Sequence, residues 1–191
     1  MDDDQTGVVP AEAGTSWFVA KNAQVPAFAG TTLKALILPL FLAACTAPSD
    51  LPAGSAPLDP IAFFAGVTNG EGSLDTIVAR PVPVTVSSLG FREHGGLKLI
   101  QRIKEGDQPL RIRTWVIRKV PSGYVSTLTD AQGMVEMELR GARAYIDYTT
   151  PSGLRIRQQL ALQPDGRTVR NRLTAHKYGV RLAILDETIR K

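Results

Sequence analysis

The chain carries a single cysteine, Cys45, and only two histidines, His94 and His176, in 191 residues. One cysteine cannot form a disulfide within the chain, so stability has to come from packing. The histidines are far apart, and neither has a cysteine or carboxylate at metal-ligand spacing, which leaves no metal pattern and implies no cofactor. No Gly-x-Ser-x-Gly turn marks a serine nucleophile, and no glycine loop leads into a helix to cradle a phosphate. Helical periodicity is itself missing: beyond Ala62 no window of about eleven residues repeats its apolar positions at a helical period. Nor does any apolar run reach the roughly 20 residues that span a bilayer. With these templates absent, the sequence points towards a non-enzymatic protein.

What is present first is a short apolar run from Ala35 to Ala44, introduced by Lys34 and closed by Cys45. A positive start, a brief apolar core and small residues before a cut are the marks of a secretory signal peptide. Pro39 in its middle and the Pro/Gly/Ser-rich sequence beyond it argue against a transmembrane helix. The ending Leu42-Ala43-Ala44-Cys45 resembles the lipobox of bacterial lipoproteins. That resemblance implies a signal peptide over 33–44, cleavage before Cys45 and a diacylglycerol thioether on its thiol, so the membrane partner is reached through an N-terminal lipid. Thr46, not an aspartate, follows the cysteine. By similarity to enterobacterial lipoproteins this implies an outer-membrane anchor facing the periplasm, with the inner membrane as the alternative.

Upstream, Val9-Pro10-Ala11-Glu12-Ala13-Gly14-Thr15-Ser16 returns as Val25-Pro26-Ala27-Phe28-Ala29-Gly30-Thr31-Thr32. Two copies of so polar and small an octamer cannot bury a core. Residues 1–32 resemble translated intergenic repeat DNA, which makes Leu33 the expected true initiator; a genuine disordered tail is the alternative.

Lys and Arg number 22 against 18 Asp and Glu, a net +4 at pH 7. Asp2, Asp3 and Asp4 lie upstream, so the basic excess concentrates beyond Cys45, and most of it is arginine. Such an excess suits anionic neighbours such as phospholipid headgroups and falls short of a nucleic-acid signature. The length beyond Cys45 suffices for one core and not for two ordinary domains.

Residues 46–60, with Pro48, Pro52, Pro57, Pro60 and Gly54, read as a solvated tether. A β-domain is then expected over 61–191. Its candidate strands are 73–79, 82–89, 97–104, 110–120, 124–129, 134–140, 143–149, 154–162, 168–176 and 180–189. The breaks between them are turn chemistry, such as Pro121-Ser122-Gly123, Pro151-Ser152-Gly153 and Pro164-Asp165-Gly166. Connections this short require antiparallel neighbours. The expectation is an all-β antiparallel meander of about 8–10 strands closing into a small, soluble, lipocalin-like barrel, which removes aggregation-prone edges. A two-sheet sandwich is the alternative. Arginines alternating through the strands argue against a barrel that itself spans a membrane.

Phe63-Phe64-Ala65-Gly66, Gly70-Glu71-Gly72, Arg113-Thr114-Trp115, Tyr124, Thr129-Asp130 with Gly133, Gly141, Asn171-Arg172 and Lys177-Tyr178-Gly179-Val180 form an ordered set. This set resembles small bacterial lipoproteins of the domain-of-unknown-function family 3833, from Phe63 to the end of the chain. The resemblance implies a lipoprotein and adds no mechanism. It supplies the candidate ligand-binding residues Arg113, Trp115, Tyr124, Asp130, Asn171, Arg172 and Lys177.

Asp130 and Asp147 are candidates for paired carboxylates, although Asp130 also fits a turn residue. Arg111 with Arg113, Arg155 with Arg157, and Arg170 with Arg172 each share a strand face at period two. They form either an anion-binding inner face or a solvated outer one. A bulged turn at 164–166 would pair Gln163 with Arg167 and set Leu160 opposite Arg170; a two-residue turn would align Arg157 with Arg172. Asn171 interrupts the row Val169, Leu173, Ala175 and should be buried, tied to neighbouring backbone or turned to a ligand. Trp115 should be core or pocket wall. Three functions remain open: an envelope lipoprotein whose barrel binds a hydrophobic or amphipathic ligand or an envelope partner, an enzyme acting on lipid or cell-wall material, and a structural lipoprotein with no ligand.

Overall fold

The structure, a computed structural model, describes residues 49–191. Segments 1–32 and 33–44, together with the lipobox residues Leu42, Ala43, Ala44 and Cys45, lie outside the described residues. What the chain builds is one closed antiparallel barrel of ten strands: β1 (Gly66–Thr76), β2 (Ala79–Glu93), β3 (Gly96–Glu105), β4 (Arg111–Val120), β5 (Gly123–Leu128), β6 (Met134–Arg140), β7 (Arg143–Thr149), β8 (Arg155–Leu162), β9 (Thr168–Lys177) and β10 (Val180–Arg190). Each strand pairs with its sequence neighbours, and β1 closes the ring on β10 from Asn69 opposite Arg190 to Thr76 opposite Ala183. The barrel expectation holds and the sandwich falls. Alternation does the sorting: Leu97, Leu99 and Ile103 point inward on β3, as do Ile156 and Leu160 on β8, while Arg155 and Arg157 face out.

Two features depart from the expected chain path. A one-turn helix, α1 (Pro60–Phe64), precedes the first strand, too short to leave a periodic signal. Asp59 caps it, accepting from the Ile61 and Ala62 amides at 2.9 and 3.0 Å, and Pro60 sits where its missing N–H costs nothing. Residues 50–59, expected as a solvated tether, instead lie along the barrel. The Leu51 amide donates to Gln159 Oε1 (2.9 Å), and its carbonyl accepts from both Nε and Nη2 of Arg143. The Gly54 amide donates to the Leu162 carbonyl and the Leu58 amide to that of Gly141. Leu51 and Leu58 are buried, each contributing about 1.5–3 kcal/mol by area. Isolated leucines in a proline-rich segment have no period, yet they are what docks it.

This strap and α1 gather at one end of the barrel, where Lys191 Nζ also donates to the Ala62 carbonyl. Gly90 admits the helix: a Cβ there would stand 1.9 Å from the Phe64 carbonyl oxygen. Towards the opposite end the buried side chains are apolar, among them Leu74, Val84, Ile103, Ile156, Ala175 and Ala183.

The hairpin between β8 and β9 takes a register that neither expected turn gives. The Gln163 amide donates to the Thr168 carbonyl, and Asp165 accepts from the Arg167 and Thr168 amides at 2.9 Å and from the Thr168 hydroxyl at 2.6 Å. Satisfying Asp165 lengthens the loop by one step. Leu160 therefore faces Asn171, and Arg157 faces Thr174. Both arginine pairs of this hairpin fall on the outer face. There Arg155 and Arg157 approach Asp147 at 3.8 and 3.4 Å, and Arg172 pairs with Asp186 at 2.7 Å.

Candidate ligand-binding site

Between the two ends the inward rows are not uniformly apolar. β3 contributes Gln101, β4 Arg113, β8 Gln158, β9 Asn171 and β10 Glu187, all buried at 3–8 % exposure. They line a cavity whose other walls are apolar: Leu99, Trp115, Ile117, Met137, Ile146, Leu160 and Ile189 from the strands, Pro60 and Phe64 from α1. Its volume of about 30 Å³ is open to the centre of a water molecule, room for about two waters.

The polar groups form two short chains. On one side Gln158 Nε2 donates to Asn171 Oδ1 (2.9 Å), and Asn171 Nδ2 donates to Glu187 Oε2 (2.7 Å). The cross-strand pairing of Asn171 with Glu187 puts these two side by side. Gln158 Oε1 and Glu187 Oε1 are buried and have no partner. On the other side Arg113 Nε donates to Gln101 Oε1 (2.8 Å), and Gln101 Nε2 donates to Ser88 Oγ (3.2 Å). The Arg113 guanidinium lies 5.9 Å from the Trp115 ring centre, and Tyr148 meets that ring edge-on.

Burial pushes the Glu187 carboxyl above its ordinary range; the Asn171 hydrogen bond and the Arg113 charge pull the other way without cancelling it. Burial likewise raises the Tyr148 phenol, against the pull of Arg113. Room for the Glu187 carboxylate comes from β1. A Cβ on Gly70 would stand 1.9 Å from Glu187 Oε1, and one on Gly72 would stand 2.4 Å from the Asp186 carbonyl oxygen. Those two glycines flank Glu71 in the sequence because the acid's side chain lies across their strand.

Of the candidates drawn from the sequence, Arg113, Trp115 and Asn171 come together at this cavity. The rest do not join them. Tyr124 stands at the α1 end, where burial and the nearby Asp59 raise its phenol. Asp130 lies in the turn after β5, ion-paired with Arg111, which also reaches Glu105 at 3.2 Å. It is not paired with Asp147, which belongs to the outer arginine cluster. Arg172 points out to Asp186, and Lys177 donates to the Ser152 carbonyl at the far end. The expected tie of Asn171 to neighbouring backbone is replaced by its two side-chain partners. Glu187, Gln158 and Gln101 were missed, although all three carry the signal that found Asn171: a polar residue inside an apolar alternating row.

No helix among the described residues is long and apolar enough to cross a membrane, and no cluster of metal-ligating side chains occurs among them. No family model matches the chain, and no curated protein matches it. Among solved structures, the S-type phycobiliprotein lyase of Guillardia theta is similar, with a TM-score of 0.52 over 69 % of this chain and 89 % of that one. At 7 % identity the likeness is one of fold, and it supports the lipocalin-like barrel.

Proposed function

We propose that the chain is a lipid-anchored envelope lipoprotein whose barrel binds a small amphipathic molecule in its interior. The observation that carries the binding reading is the cavity wall. Apolar side chains meet convergent, incompletely satisfied polar ones there, the composition of a ligand site rather than of a packed core. Likeness in fold to a phycobiliprotein lyase adds a protein with the same architecture and says nothing of a shared ligand. The anchor rests on the Leu42-Ala43-Ala44-Cys45 lipobox, and the kinship to family 3833 on the ordered motifs from Phe63 onward. An outer-membrane position facing the periplasm follows from Thr46.

The small volume favours a second reading, a structural lipoprotein with a filled barrel. One preparation separates the two. The full chain carrying Cys45→Ser, purified without detergent, should fold and release on extraction a small amphiphile at near-equal molar amount. A chain that releases nothing and takes up nothing would favour the structural reading. Palmitate labelling and membrane fractionation of the wild type test the anchor; labelling that persisted in Cys45→Ser would refute it.

A further inference from the structure

Arginine 113 is buried at 8 % exposure, and among the described residues no carboxylate lies within ion-pair distance of it. A buried charge with no counter-ion is costly unless something completes it. Nε is spent on Gln101 and the Tyr148 phenol also bears on the guanidinium, so its partners within the protein are neutral ones. The only buried carboxyl group among the described residues is Glu187, which shares the cavity but makes no ion pair with Arg113. Its hydrogen bond from Asn171 occupies Oε2 and leaves Oε1 without a partner. A site of this kind holds a cation and an acid, facing an apolar wall that runs towards α1, with the Tyr148 phenol near the cation.

We infer that the barrel takes the single anionic head of a small amphiphile on Arg113, with its apolar tail along Trp115 and Ile117 towards Phe64. This rests on the interior-binding reading above and names the chemistry of its ligand. A planar guanidinium matches a carboxylate through its N–H groups, in bidentate fashion where two of them turn to it. Burial raises the Glu187 carboxyl above its ordinary range, which weakens its opposition to a second anion in the cavity. The space present fits the head alone, so the tail displaces the α1 side chains Pro60 and Phe64, which are held by a single helical turn. A neutral head of the same length would leave the arginine uncompensated.

Calorimetric titration of the Cys45→Ser chain, stripped of bound molecules, with octanoate and with octanol tests this. Octanoate is expected to bind at least about tenfold more tightly than octanol, the worth of a charge-assisted hydrogen bond. Arg113→Met should abolish that preference while octanol binding persists; Arg113→Lys should retain part of it and guards against a folding defect. Octanol binding as well as octanoate, or a preference unchanged in Arg113→Met, would overturn the anionic head while leaving interior binding intact. If neither probe binds the wild type, interior binding of such amphiphiles is refuted and this inference falls with it.

Discussion

Glutamate 187 sets a measurable pH dependence on the stability of the ligand-free protein. Its carboxyl is 6 % exposed, one oxygen accepts from Asn171 at 2.7 Å and the other has no partner. Burial raises its folded pKa above the unfolded value. Below the unfolded value both states carry the proton and ionisation costs folding nothing. As pH rises further, the unfolded chain releases its proton first, so the wild type loses stability until pH passes the raised folded value. Each unit of separation is worth about 1.4 kcal/mol. Glu187→Gln keeps an acceptor for Asn171 and cannot ionise. The variant should therefore unfold at nearly the wild-type urea midpoint in acid, near the ordinary carboxylate range. Above that range it should gain steadily on the wild type, the gain levelling off once pH passes the raised folded value. Every other titrating group is common to both proteins, so the difference isolates this one. Urea melts of the pair from pH 4 to pH 8 that run parallel throughout would refute the reasoning.

Other perturbations follow from the same geometry. Gly70→Ala drives a methyl group into Glu187 Oε1 and should destabilise by about 1–3 kcal/mol; pairing it with Glu187→Ala should restore most of the loss in chemical melts. Trp115→Ala, removing a ring that is 5 % exposed and packed on Tyr148, should cost about 3–5 kcal/mol by urea denaturation. Asp59→Ala should cost about 0.5–2 kcal/mol by loss of the helix cap, and it should speed octanoate association in stopped flow if α1 is the part that yields.

The architecture was legible because its local signals agree. Each strand from β1 to β10 overlaps an expected segment, with β6 and β7 matching end to end, and proline–glycine turns left only antiparallel neighbours. The site was legible only along single strands. Asn171 announced itself as a polar break in the row Val169, Leu173, Ala175, while Arg113 and Trp115 were candidates through the family resemblance. What the site consists of depends on registers between strands, and the β8–β9 register turned on the Asp165 side chain capping its own loop. A residue-type pattern does not encode that one-step shift. The strap was hidden for a different reason. Its docking rests on two leucines and on backbone groups, whose partners Gln159, Arg143, Leu162 and Gly141 are about a hundred residues away in sequence.

The central claim is that the polar groups inside this barrel serve a bound molecule and not the fold. Native mass spectrometry of the detergent-free Cys45→Ser chain, beside the same chain with Gln101→Leu, Arg113→Met, Gln158→Leu, Asn171→Leu and Glu187→Leu together, tests it most directly. Apolar replacement of a whole buried polar cluster is commonly neutral or stabilising. The account therefore predicts two folded species, the polar one carrying an added small-molecule mass and the apolar one lacking it. Equal bare masses for both, even after incubation with octanoate, would contradict it.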